Sequence, residues 1–130
     1  MNIKERRKFR RLYTYHLAKY HIVSKPKEDQ QPVIAAIRDI GGGGICLQAE
    51  EALPISCVIQ LYINFPQFPK PIPCLARVTW VKRIGRTGKF EIGMHFIDIE
   101  EIFRQAIIKR IESVHSIVEE KGAKKHEVPV

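Results

Sequence analysis

Residues 74–111 read CLARVTWVKRIGRTGKFEIGMHFIDIEEIFRQAIIKRI, and this stretch contains both of the periods by which a chain buries one face. Cys74–Ile84 and Lys89–Ile99 are rich in β-branched and aromatic residues, which suit strands. Between them lies Gly85-Arg86-Thr87-Gly88, with the glycines of a hairpin turn. The period then changes. Apolar residues fall at Ile99, Ile102, Phe103, Ala106, Ile107, Ile111, Val114, Ile117 and Val118. Spacings of three and four make one stripe of an amphipathic helix. Asp98 followed by Glu101 has the pattern of an N-cap with its reciprocal glutamate, and Gly122 is a C-terminal stop. The reading is a helix over about 99–120, with residues 122–130 as a disordered tail.

Upstream, the strand signals continue. Cys57–Phe65 alternates, with Val58, Gln60, Tyr62 and Asn64 opposing Ile59, Leu61, Ile63 and Phe65. The Pro-rich run PQFPKPIP separates it from the next strand. Pro32–Ile40 reads as a largely buried strand, and four glycines, Gly41–Gly44, precede the extended ICLQ. Leu12–Val23 reads as one strand, followed by the charged turn Ser24–Gln31. Short antiparallel strands followed by one helix predict a mainly β fold, a six-stranded antiparallel β-barrel with a C-terminal α-helix. The folded unit is placed at 12–121, after a flexible basic arm at 1–11. A chain of 130 residues suits one such domain.

Charge narrows the partners. Lys and Arg number 22 against 14 Asp and Glu, for a net charge of +8. The excess favours anionic partners: nucleotides, nucleic acid or acidic membrane surfaces. It is concentrated in Arg6, Arg7, Lys8, Arg10 and Arg11. The three cysteines, Cys46, Cys57 and Cys74, have no metal-type spacing and read as small buried hydrophobes in a reducing cytoplasm. No apolar run approaches a membrane span of about 20 residues, and the basic start lacks the apolar core of a signal peptide. His16, His21, His95, His115 and His126 form no metal or catalytic pattern. No catalytic constellation can be assembled, so an enzyme is not expected.

Three segments stand out in order: ERRKFRRL at 5–12, RDIGGGGICL at 38–47 and GKFEIGMHFIDI at 88–99. Together they resemble the PilZ domain, a bacterial receptor for cyclic di-GMP. The family pattern is RxxxR in an N-terminal arm, then (D/N)xSxxG some 20–30 residues on. A strand often ending in Trp and a glycine-spaced strand before a helix complete it. Arg7 and Arg11 match the first motif; Asp39, Gly41 and Gly44 fall on the second; Trp80 and Phe90–Phe96 match the last. The resemblance runs from Glu5 to about Ile111. It implies cyclic di-GMP as ligand, no cofactor, and ligand contact at Arg6, Arg7, Arg11, Asp39, Gly41, Gly44 and Trp80. An arginine at position 6 is associated in the family with an intercalated ligand dimer. The family serine is Gly41 here, which removes a hydroxyl expected near the ligand's base.

The residue chemistry agrees with that implication. The planar arginine fork fits phosphate oxygens bidentately. The same fork suits guanine O6 and N7, and its plane stacks on a base. Asp39 cannot bind phosphate; it accepts from a guanine N1/N2 edge, holds an arginine, or caps a turn. Gly41 and Gly44 permit positive φ and close backbone approach to a ligand, and a tight hairpin at the same place is compatible with that role. Trp80 is either a core or rim residue or a ligand contact. Lys82 and Arg83 add charge on the same strand. Three functions remain open. One is a cytoplasmic cyclic di-GMP receptor whose arm orders on the ligand and signals to an unidentified protein partner. The second is a degenerate adaptor that binds protein without ligand. The third, with no specific nucleic-acid target expected, is a basic nucleic-acid-binding barrel.

Overall fold

The computed structural model describes residues 11–13, 16–65 and 67–124, with side chains for 16–65 and 67–114. Among the described residues there are seven strands: β1 Arg11–Tyr13, β2 Leu17–Ile22, β3 Val33–Gly41, β4 Gly44–Ala49, β5 Val58–Ile63, β6 Ile72–Ile84 and β7 Lys89–Asp98. One helix follows, α1 Glu101–Lys124. Every pairing is antiparallel. β2, β5, β6, β7, β4 and β3 are neighbours in that order, and β3 returns to β2. Six strands therefore close a barrel without a free edge, and β1 adds a short pairing along β3.

The expected single strand over 12–23 is two. Tyr13 lies opposite Asp39 and Leu17 opposite Ala36, so the registers of β1 and β2 along β3 differ by one residue. The His16 carbonyl nevertheless accepts from the Ile37 N–H at 2.6 Å. Strand β6 starts at Ile72, before the expected Cys74, with Pro73 exposed opposite Tyr62.

Alternation builds the interior. Ile59, Leu61 and Ile63 of β5 are fully buried, as are Ile72 and Ala76 of β6, and Ile92 of β7. Leu47, Ile37 and Ile40 complete the apolar lining from β4 and β3. Each fully buried aliphatic side chain contributes about 1.5–3 kcal/mol. Cys46 and Cys74 are buried and Cys57 is half-buried, and none of the three forms a disulfide among the described residues. Burial first, and then the nearby Asp98 carboxylate, push the Cys74 thiol up to about 12. It stays neutral and behaves as a small hydrophobe.

Helix α1 packs Ile107 and Ile111 into the same core. Phe103 is half-buried and meets Phe68 edge-on, ring centroids 5.3 Å apart. The helix begins at Glu101 rather than Ile99, because Ile97 is an extra residue in β7 and Asp98 still pairs with Leu75. Asp98 is thus a strand residue and not the N-cap. The Glu100 carbonyl takes the first amides, those of Phe103 and Arg104, at 3.0 and 3.1 Å. The helix also continues through Gly122 to Lys124. A helical glycine costs about 1 kcal/mol against alanine, which weakens a helix without ending it.

Candidate nucleotide-binding face

Two strand irregularities decide what the outside of the barrel presents. In β3 the register against β4 shifts between Ile37 and Asp39, leaving Arg38 as the extra residue. In β6 the register against β7 shifts between Val78 and Trp80, leaving Thr79 extra. Strict alternation from the interior residues Ile37 and Val78 would send Asp39 and Trp80 into the apolar barrel. The bulges reverse that parity. Ile40 and Val81 take the inward places opposite Ile45 and Ile92, while Asp39 and Trp80 turn outward.

Both residues then fall on one continuous row. Tyr13 of β1 is opposite Asp39, Asp39 opposite Cys46, Cys46 opposite Gly93 and Gly93 opposite Trp80. From Asp39 to Trp80 this crosses three inter-strand gaps, about 14 Å. Gly93 lets the indole lie on the sheet, since a Cβ there would run into Trp80 Nε1 and Cε2. Thr79 secures the bulge by donating to the Gly93 carbonyl at 3.2 Å. Trp80 is 39% exposed, which excludes the core reading and leaves its ring available at the rim. Asp39 is buried although it faces outward.

The neighbouring rows supply charge. On one side, Gly44 is opposite His95 and His95 opposite Arg77, whose Nη1 donates to the Ser56 carbonyl at 2.9 Å. On the other, Gln48 is opposite Glu91 and Glu91 opposite Lys82. The Arg38 guanidinium is ion-paired to the Glu91 carboxylate. Arg83 instead sits over the Phe90 ring at 5.7 Å and is directed away from this face.

The glycines serve differently from one another. Among the described residues, positive φ occurs at Gly85, Gly88 and Ser56, so the Gly41–Gly44 turn does not use it. A Cβ on Gly44 would meet the Met94 carbonyl oxygen, so Gly44 is required by the approach of β4 to β7. Gly41 ends β3 opposite Arg11 of β1. Arg11 is therefore placed by its backbone two residues along β1 from the row that includes Asp39. Arg6 and Arg7 lie outside the described residues. Glu91 and His95, not singled out from the sequence as site residues, flank Gly93 on alternate positions of the same strand and so share its outer face. Among the described residues, no group of three or more His, Cys, Asp and Glu is arranged to hold a metal. No helix among them is long and apolar enough to cross a membrane.

A closed six-stranded antiparallel barrel followed by one helix, with β1 laid along the end of β3, defines the class of fold. The PilZ domain model matches residues 5–113, and the chain belongs to that family. No curated protein matches it in sequence. The fold is similar to the motility inhibitor MotI/DgrA of Bacillus subtilis, with TM-score 0.70 and 15% identity over 84% of this chain and 51% of that one. The chain thus spans about half of that protein's length. The PilZ domain of Escherichia coli YcgR with c-di-GMP aligns at TM-score 0.62 and 17% identity, covering 92% of this chain and 98% of that one. The MrkH–c-di-GMP complex of K. pneumonia aligns at TM-score 0.65 and 15% identity, covering 88% and 55%.

Proposed function

We propose that this chain is a cytoplasmic cyclic di-GMP receptor and not an enzyme. The ligand would lie on the outer row from Asp39 to Trp80, under Arg6, Arg7 and Arg11 of the arm. One observation carries the reading: two separate bulges turn Asp39 and Trp80 out onto a single in-register row that β1 leads into. That row offers a carboxylate for guanine donors and an indole for stacking, and the arm would bring arginines for phosphate. The c-di-GMP held by the YcgR and MrkH structures supports the same ligand here.

Titration calorimetry tests this with cyclic di-GMP, GMP and linear pGpG in parallel. Saturable heat with the cyclic ligand and at least tenfold weaker response to the other two is expected, because only the cycle fixes two guanines and two phosphodiesters in one closed ring, whereas pGpG is open and GMP has a single base. Equal affinity for all three, falling steeply with salt, would instead indicate polyanion binding and the nucleic-acid reading. The arm is proposed to order as it closes over the ligand and so alter the surface offered to a partner. Amide exchange within residues 1–10 is expected to slow when cyclic di-GMP is added; identical exchange with and without ligand rejects the ordering.

Gly41 favours the adaptor as the second reading, because the family hydroxyl is missing. The backbone at Gly41 is not at positive φ, so a serine fits without left-handed strain. Gly41→Ser is expected to tighten binding about threefold to tenfold through one hydroxyl hydrogen bond worth about 0.5–1.5 kcal/mol. Weaker binding with a lower melting temperature would show that the turn requires glycine.

A further inference from the structure

The extra residue in β3 is an arginine held by a carboxylate from two strands away. We propose that Arg38 is a further ligand-contacting arginine of this face, and that Glu91 is the positioning residue that holds its guanidinium across β4. This rests on the cyclic di-GMP reading above.

Arg38 sits at the bulge immediately before Asp39, so the irregularity that turns Asp39 outward also frees the Arg38 side chain from the barrel wall. Its partner Glu91 is on β7, with β4 between them, so the side chain must run across β4 to reach it. Two inter-strand gaps are about 10 Å, the reach of an extended arginine meeting a glutamate. The pair therefore spans the outer face beside Cys46 and Gly93, with Trp80 beyond Gly93 in the same row.

The burial of the two partners differs. The Arg38 side chain is 51% exposed, whereas that of Glu91 is 11% exposed. A carboxylate that is nearly buried on an outer face is costly unless its partner stays in place. Glu91 Oε2 contacts Nη1 of Arg38, and a guanidinium presents five N–H donors in one plane. Nη1 is held by Glu91 while about half of the Arg38 side chain stays exposed, which leaves guanidinium donors for a ligand. A phosphodiester oxygen or a guanine O6/N7 edge is the chemistry those donors fit. Lysine offers neither the fork nor the plane.

Calorimetry with cyclic di-GMP on the full chain tests this, using wild type, Arg38→Met, Arg38→Lys, Glu91→Gln and the Arg38→Met/Glu91→Gln double variant. Arg38→Met is expected to weaken binding about tenfold or more, the loss of one charge-assisted contact. Arg38→Lys is expected to recover less than half of that loss on a logarithmic scale. Glu91→Gln is expected to weaken binding about threefold, and the double variant to bind no worse than Arg38→Met alone. That last comparison separates positioning from a general structural role, which would add its loss to that of Arg38→Met. Circular dichroism confirms that each variant is folded at the titration temperature. Wild-type binding with Arg38→Met unchanged overturns the inference and leaves the receptor reading standing. Tighter binding in Glu91→Gln also overturns it, since the ion pair would then be withholding Arg38. No binding by wild type removes both.

Discussion

Arg7→Ala and Arg11→Ala are each expected to weaken cyclic di-GMP binding by about 2–4 kcal/mol, roughly 30-fold to 1,000-fold, as the cost of losing a charge-assisted bidentate contact. The positions differ in what supports them. Arg11 is fixed by its strand pairing opposite Gly41. Arg7 stands one RxxxR step earlier in the sequence, and its role comes from the family pattern. Titration calorimetry on each variant measures the loss, and melting temperature without ligand separates it from unfolding. An arm that supplies only diffuse positive charge would lose about 1 kcal/mol or less per arginine, and equally so at Lys8→Ala. Losses of that size at Arg7 and Arg11 would reject specific contact and favour the adaptor.

The specific contact reading depends on where the barrel turns its polar residues, and part of that was written in the sequence. Interior positions in β5 alternate without interruption, and Ile59, Leu61 and Ile63 are buried as their pattern requires. The bulges were also legible in principle. Ile37 and Ile40, and Val78 and Val81, stand three apart where a regular strand would place inward residues two apart. Reading them needs the register of the neighbouring strand, which a single chain does not display. The same limit hid Glu91, whose pairing with Arg38 crosses β4. It also made Gly44 look like a turn residue, when its need for glycine comes from the Met94 carbonyl. Asp98 misled in another way. Asp followed three residues later by Glu fits a capping box, but the extra residue Ile97 keeps Asp98 in the ladder opposite Leu75.

The helix stripe was longer in sequence than the face the barrel covers, and that difference sets the second large effect. Ile107 is 0% exposed and Ile102 is 68% exposed, although both belong to the apolar spacing. Ile107→Ala is expected to destabilise the protein by about 2–5 kcal/mol, the transfer loss plus the cavity left in the core. Ile102→Ala should change stability by less than about 0.5 kcal/mol. Phe103→Ala should fall between them, because its ring is half-buried and part of its packing is the single edge contact to Phe68. Urea unfolding followed by circular dichroism gives all three values. A domain of this size has about 5–15 kcal/mol in total, so the Ile107 variant should show a clear drop in midpoint with unchanged slope. If Ile107→Ala proved as mild as Ile102→Ala, the helix would not be docked in solution and its apolar stripe would be free for another surface. The two bulges lie in β3 and β6, outside the helix. A docked helix that serves only the core should therefore leave the cyclic di-GMP affinity of the Ile107 variant within about twofold of wild type while it is folded.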